Sequence, residues 1–419
     1  MAISSIPIPQ TVQETGVSRN LLEAIALKIL YLEGELSLAD LAKRMQLAFS
    51  VINELFERLR KEQLCEVIGM TAHVSRIVAT SRGKTQAIEL LSLSHYAGPA
   101  PVSLTDYARR VRAQSVRDIE IHPPDVGRVF KDLVLNSETL SQLGTAIVSG
   151  RSIFLYGPTG CGKTAIAEAL PSVYQDFVWL PHAVEVNGQV IVVYDPHLHV
   201  KADDFPEGDG RWVLCGRPRI LTGGDLTVES LDLQFNPVSK FYASPLQMKA
   251  NNGVLIIDDF GRQRVRPEEL LNRWIVPLDR RLDFLTLAGG KQFEIPFDLF
   301  VVFSTNLDPS MLIDEAFLRR IPNKVEVGYV NQAQFHEIFR RICSNLGLTC
   351  EPAVIDHLIE TLGELHQPLR PCYPRDFVEQ ICWRARYEGR PPKLDRETLA
   401  HVCRSCFLST DLPVAQKPA

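Results

Sequence analysis

The sequence lacks any apolar run approaching the ~20 residues that a helix needs to cross a bilayer. Its most apolar stretches are Gly253-Val254-Leu255-Ile256-Ile257 and Leu299-Phe300-Val301-Val302-Phe303. The opening residues, MAISSIPIPQ, show no basic region followed by a long apolar run, so they do not read as a secretory signal. No membrane insertion is expected, and the protein reads as cytoplasmic. An excess of positive charge is also missing. The formal net charge of −5 argues against a dedicated nucleic-acid binder and leaves a local basic patch as the only route to DNA. Internal repeats and low-complexity tracts are absent. The nine cysteines offer no two pairs at zinc-finger spacing, so a metal framework is not indicated and free thiols are expected in a reducing compartment. Cys403 and Cys406 form a CxxC, but i and i+3 share one helix face, which makes them packing residues.

The 419 residues are ordinary in composition for a soluble globular protein, with 45% hydrophobic and 23% charged, and they suffice for several domains. Residues 1–19, rich in Ser, Pro and Thr, read as a disordered N-terminus. From residue 20 to 93 the periodicity changes. Leu22, Ile25, Ile29 and Leu32 recur at helical spacing, Ser37 caps a helix over 38–45, and a third helix over 51–63 carries Ile52, Leu55, Phe56 and Leu59 on one face. Two strand-like runs, 65–68 and 73–79, lead into a helical stretch over 85–93. Three helices followed by a hairpin resemble a winged helix-turn-helix. That resemblance implies DNA binding through the third helix; the alternative is a protein-docking module. The third helix sets Glu54, Glu57 and Glu62 against Arg58, Arg60 and Lys61, a near-neutral face that gains little from phosphates. Residues 94–120 read as a linker whose second half, with Arg109, Arg110, Arg112 and Arg117, docks as a helix.

The chemistry begins after the strand at 152–156. Gly157-Pro158-Thr159-Gly160-Cys161-Gly162-Lys163-Thr164 fits G-x-x-x-x-G-K-[ST] at every position, between a strand and an Ala-rich helix over 165–170. The glycines let backbone N–H groups converge on phosphate oxygens, and the helix N-terminus adds a favourable dipole. Lys163 is placed to reach the β- and γ-phosphates of ATP, and the Thr164 hydroxyl to ligate Mg²⁺. A second buried strand ends in Asp258 and Asp259. Asp258 suits the metal, through water, and Asp259 suits the attacking water. The strand at 299–305 ends at Asn306, placed to hold that water from the opposite side. Asp314-Glu315-Ala316-Phe317-Leu318-Arg319-Arg320-Ile321 supplies paired arginines; they make sense if one reaches a neighbouring subunit's γ-phosphate, the alternative being a surface salt bridge.

P-loop, acidic strand, Ser-Thr-Asn strand and Phe-Leu-Arg-Arg, in that order and followed by an all-helical segment, resemble an AAA+ ATPase over residues 125–407. The hairpin 282–287/292–297 before the asparagine strand resembles the MoxR and magnesium-chelatase branch. In that branch a lid arginine touches the γ-phosphate, and Pro374-Arg375-Asp376 matches the position, which makes Arg375 the candidate. ATPases of this kind usually carry Glu where this chain has Asp259. The carboxylate is shorter by a methylene, about 1.5 Å; a ~1 Å misplacement can cost on the order of 10²-fold, so slow hydrolysis is expected.

The resemblance implies an α/β fold: an N-terminal winged helix, a large αβα nucleotide domain over 121–330, a helical lid over 331–408 and a polar tail over 409–419. Within it, 184–244 reads as an insert facing a ring pore or a partner. Asp195, His197 and His199 in that insert raise a metal site, for which no further ligand is evident. Arginines acting in trans require head-to-tail contacts that close into a ring, and the resemblance suggests a hexamer. The expected activity is ATP hydrolysis to ADP that remodels a protein client or assembly factor. The alternatives are a DNA-associated loader or transcription regulator using the winged helix, and a nucleotide-gated scaffold with slow turnover.

Overall fold

The computed structural model describes residues 5–71, 74–203, 207–312 and 315–407. The chain divides into two compact units. The first comprises Met1–Ile119, Tyr174–Ile256 and Arg262–Val301, the second Glu120–Val173, Ile257–Gly261 and Val302–Ala419.

The first unit opens with a helix, Arg19–Glu33, whose Leu22, Ile25, Ile29 and Leu30 are buried. Leu38–Met45 follows, with the Ser37 side chain accepting from Asp40 N–H at 3.0 Å and Gln46 ending the helix in the left-handed region. The third helix, Phe49–Lys61, buries Val51, Ile52, Leu55, Phe56 and Leu59. Strands Glu35–Ser37, Val74–Ala79 and Cys65–Thr71 form an antiparallel sheet in that spatial order. Helix Ser81–Leu93 closes this region, capped by Thr80.

Two features of this unit, its N-terminal segment and its insert, depart from the sequence-based expectations. Residues 1–4 lie outside the described residues, but 5–19 are ordered. Ile6, Val12, Thr15 and Val17 are buried. Gln10 accepts from Ser50, Val12 N–H donates to Glu54 at 2.9 Å, and Asp209 N–H donates to the Ile6 carbonyl at 3.0 Å. Distant partners satisfy a segment that looked unstructured on composition. The insert, read as facing a ring pore or a partner, is built into this unit. Its hairpin, Ala183–Val186 with Gln189–Val192, joins Tyr242–Ala243, Gln234–Phe235 and the linker strand Val102–Ser103 in a five-stranded sheet. Ala183 and Val190 belong to the same hydrophobic core as the three N-terminal helices. The linker carries the docked helix expected of its second half: Leu104–Ala113 buries Tyr107 and Val111. Finally, His199 is an internal packing group. Its Nδ1 accepts from Asp195 N–H at 2.9 Å and its Nε2 lies 2.9 Å from the Lys249 carbonyl, which requires the Nε2–H tautomer. Burial holds its pKa below the ordinary histidine value. Both ring nitrogens are used, which leaves no lone pair for a metal.

A buried ion pair ties this unit together. Arg211 and Asp209 have side chains 4% and 3% exposed and meet at 2.8 Å, and Arg211 also donates to the Thr15 carbonyl at 2.8 Å. Helix Pro267–Arg280 and the hairpin Leu282–Thr286/Gln292–Pro296 complete the unit.

In the second unit, residues 302–305, Ile153–Tyr156 and Asn323–Glu326 lie side by side, all parallel, with Val302 and Asn323 both opposite Ile153. The rings of Phe154, Phe260 and Phe303 pack on one another with centroids 5.2–5.8 Å apart. The four C-terminal helices, Gln332–Asn345, Pro352–Glu364, Tyr373–Tyr387 and Arg396–Cys406, enclose a core of their own that includes Phe335, Phe339, Leu358, Phe377 and Cys403. The fold is thus mixed α/β, with parallel strands and flanking helices. The tail over 409–419 lies outside the described residues.

Candidate functional site

The strand Ile153–Tyr156 is buried and ends at Gly157. The loop that follows needs glycine. Gly157 has φ 140°, and a Cβ there would stand 2.3 Å from the Val327 carbonyl oxygen. Gly160 and Gly162 have φ 79° and 90°. Helix Lys163–Ala169 starts directly on the last of these, so the free N–H groups of its first turn open toward the loop. Lys163 folds over the loop mouth, its Nζ donating to the carbonyls of Gly157 and Pro158 at 2.9 and 2.8 Å. Burial pushes the Lys163 ammonium below the ordinary lysine value, while Cys161, Asp258 and Asp259 act in the opposite direction.

The acidic strand Val254–Ile257 brings its end to the same place. Thr164 Oγ1 donates to Asp258 Oδ2 at 2.8 Å, a contact between residues 94 positions apart. Asp259 is exposed and has φ 48°, a left-handed conformation that Asp tolerates better than most residues. Phe260 locks that turn: its N–H donates to the Ser304 carbonyl at 2.7 Å and its carbonyl accepts from Thr305 Oγ1 at 2.6 Å. The acidic turn is therefore fastened to the strand that delivers Asn306, whose Nδ2 donates to Thr159 Oγ1 at 3.2 Å.

These groups surround a cleft of about 980 Å³. Its walls include Thr159 through Thr164, Asp258, Asp259, Asn306 and, from the third lid helix, Arg375. Four of the expected site residues, Gly157, Pro158, Arg319 and Arg320, are not among the lining. Gly157 and Pro158 form the loop's start, held by Lys163. Arg319 and Arg320 do not line the cleft. Arg319 is exposed and pairs with Glu315 at 2.7 Å, i to i+4, which is the surface ion pair weighed as the alternative. Arg320 is half-buried. Asp314, in the same motif, lies outside the described residues.

Sequence reasoning missed the apolar side of the cleft: Leu133, Val134, Tyr329, Val330, Ile338 and Ile342. Leu133, Val134, Tyr329 and Val330 flank the helix caps Asn136 and Asn331, and Ile338 and Ile342 lie within the helix Gln332–Asn345. Apolar residues beside caps look like core in a sequence, and no spacing separates them from it. A donor set of one hydroxyl and one carboxylate at the end of a strand suits a hard divalent cation such as Mg²⁺. Among the described residues no group of three or more His, Cys, Asp or Glu gathers elsewhere to hold a metal, and no described helix is long and apolar enough to cross a membrane.

Comparison with known proteins adds a distant frame. A family model described as "Domain of unknown function (DUF8689)" matches residues 331–405, the four C-terminal helices. The outer mitochondrial transmembrane helix translocase of Danio rerio is 24% identical over 293 residues, which cover 66% of this chain and 64% of that protein. The chain thus spans less than two-thirds of that relative's length. Among solved structures, NtrX from Brucella abortus superposes with a TM-score of 0.41 at 16% identity, over 68% of this chain and 60% of that one. The Thermotoga maritima RuvB Holliday junction branch migration motor gives 0.35 at 15% identity, over 69% and 72%. Likenesses this loose carry no function, which rests on the geometry of the cleft.

Proposed function

We propose that this chain is an AAA+ protein of the MoxR and magnesium-chelatase-like branch that binds ATP, hydrolyses it and works as a ring.

 Every group the reaction needs from one subunit is present in the cleft. The observation that carries this reading is the 2.8 Å hydrogen bond from Thr164 Oγ1 to Asp258 Oδ2, which joins the P-loop to the acidic strand across 94 residues. On this reading the loop amides and Lys163 bind the polyphosphate, with Lys163 exchanging two loop carbonyls for phosphate oxygens. Thr164 and Asp258 hold Mg²⁺, whose charge offsets that of the β- and γ-phosphates. Asp259 takes the proton of the attacking water, and Asn306 orients that water. Arg375, on the lid and lining the same cleft, reaches the γ-phosphate. The apolar wall between Val134 and Ile342 accepts the adenine base. One of Arg319 and Arg320 acts in trans on a neighbouring subunit, in keeping with their place outside the lining of their own cleft. That arrangement calls for a closed ring, a hexamer by resemblance, in the cytoplasm. The hairpin Leu282–Thr286/Gln292–Pro296 supports the proposed branch.

A protein client is favoured over DNA by one specific observation. The N-terminal region has the element order of a winged helix, but its third helix offers duplex DNA little. Arg58 is shared between Glu23 and Glu62, both at 3.2 Å, and Arg60 faces Glu57. Ser50 and Glu54, at the helix's leading end, are already engaged by Gln10, Val12 and Arg19. Few phosphate contacts remain possible. The test of the nucleotide reading is ADP and ATP binding with magnesium, together with phosphate release, by wild type and Lys163→Ala. The wild type is expected to bind and turn over slowly, and the variant to lose both. A wild type without affinity for either nucleotide refutes the reading. Salt-dependent retention on duplex DNA would instead favour the DNA-associated alternative.

A further inference from the structure

The segment 369–373, between the second and third lid helices, lies against the outer turn of the P-loop. Cys372 N–H donates to the Gly160 carbonyl at 3.3 Å. A Cβ built on Gly160 would stand 2.7 Å from Cys372 Sγ, which takes the space that glycine leaves, and at an ordinary contact distance of 3.5 Å from Arg370 Cδ, whose stem lies beside it. The Arg370 guanidinium lies over the Tyr373 ring, 5.6 Å from its centroid. Its Nε is buried and, among the described residues, has no hydrogen-bond partner. An unpartnered buried N–H is costly, and stacking on one ring offsets that only in part.

We propose that Arg370 is a positioning residue for the nucleotide: it seats the lid on the Gly160 turn and so holds the P-loop amides in their phosphate-facing arrangement. The inference rests on the nucleotide reading of the cleft. Arg370 differs from Arg375, which lines the cleft and is exposed. Arg370 acts through the loop. A turn with positive φ at Gly157, Gly160 and Gly162 has many alternative conformations in isolation. A lid resting on Gly160 removes part of that freedom before the ligand arrives, and preorganisation of this kind raises affinity. It leaves the chemical step alone, because no atom of Arg370 is needed at the reacting phosphate.

The test uses the full chain. Arg370→Ala should raise the Kd for Mg·ADP and the KM for ATP roughly tenfold, with kcat within about threefold of wild type. Arg370→Lys keeps the charge and the aliphatic stem over Gly160 but loses the flat stack on Tyr373, and should recover part of the loss. A second readout needs no nucleotide. Maleimide labelling of Cys372, followed by peptide mass spectrometry, should be several-fold faster in Arg370→Ala at equal thermal stability. If Arg370→Ala does not fold, Arg370→Lys carries both measurements. Unchanged KM and unchanged Cys372 labelling overturn the proposal, as does a loss confined to kcat. The two readings fail differently: a wild type that binds no ADP removes the nucleotide reading itself, whereas normal ADP binding by Arg370→Ala removes only the seat.

Discussion

Replacing Asp259 separates backbone from chemistry. Its φ of 48° places it in the left-handed region, which costs an ordinary L-residue roughly 1–2 kcal/mol and is relieved for Asp and Asn by local hydrogen bonding. The turn cannot relax, because Phe260 is bonded on both sides to the strand carrying Ser304 and Thr305. This gives a physical reason for Asp at a position where the family resemblance implies Glu: the tight turn selects a short side chain that tolerates positive φ. Asp259→Asn keeps the shape and the backbone preference and removes only the base. The expected result is a melting temperature close to wild type, nucleotide affinity within a few-fold, and phosphate release lower by about 10²–10⁴, the usual worth of a general base. Asp259→Ala should lose turnover equally and also about 1–2 kcal/mol of stability. In a unit of this size that is a fall of several degrees in melting temperature. Phosphate release, ADP titration and thermal melts on the two variants decide the matter. Turnover by Asp259→Asn within threefold of wild type would refute the role given to this carboxylate. Equal melting temperatures for the Asn and Ala variants would refute the backbone argument.

Other changes test other parts of the structure. Gly157→Ala should abolish nucleotide binding and lower the melting temperature, because the new Cβ meets the Val327 carbonyl 2.3 Å away at φ 140°; the backbone term alone is roughly 1–3 kcal/mol. Wild-type ADP affinity in that variant would contradict the loop geometry. Arg211→Ala strands the buried Asp209 carboxylate and frees the Thr15 carbonyl, so chemical denaturation should show a loss of about 3–5 kcal/mol and proteolysis should begin to cut within residues 5–18. Lys28 is buried, donates to the Ser94 carbonyl at 3.0 Å, and has its pKa lowered to about 8 by that burial. The unfolded chain then holds more protons than the folded one between about pH 8 and 10.5, so this group makes stability rise with pH across that window. Lys28→Met should abolish the rise in thermal melts at pH 7.5 and 9.5, leaving the variant no less stable at the lower pH.

The nucleotide loop, the acidic strand and the asparagine strand were legible in the sequence because each is a local pattern. A glycine-rich turn between strand and helix, and buried strands ending in Asp258 and Asn306, are fixed by short-range backbone geometry and periodicity. The four lid helices and the cap at Ser37 were legible for the same reason. Other elements gave no local signal. Asn323–Glu326, with Val325 as its one apolar residue, pairs with Ile153–Tyr156 as a parallel strand. Phe177–Pro181 and Trp212–Gly216 pair across more than thirty residues, and Val102–Ser103 is too short to announce itself.

What the sequence determined alone was the set of groups that could meet a polyphosphate and the order in which the chain delivers them. Only the tertiary structure decided that residues 5–19 are ordered, that the insert and the N-terminal helices share one core, and that Arg370 rests on Gly160. Each of these depends on partners far away in the chain: Glu54 and Asp209 for the N-terminal segment, Ala183 and Val190 for the shared core, the P-loop for the lid. Satisfaction of a buried polar group or an apolar face by a distant residue is a property of the folded chain, and no window of sequence contains both halves of the contact.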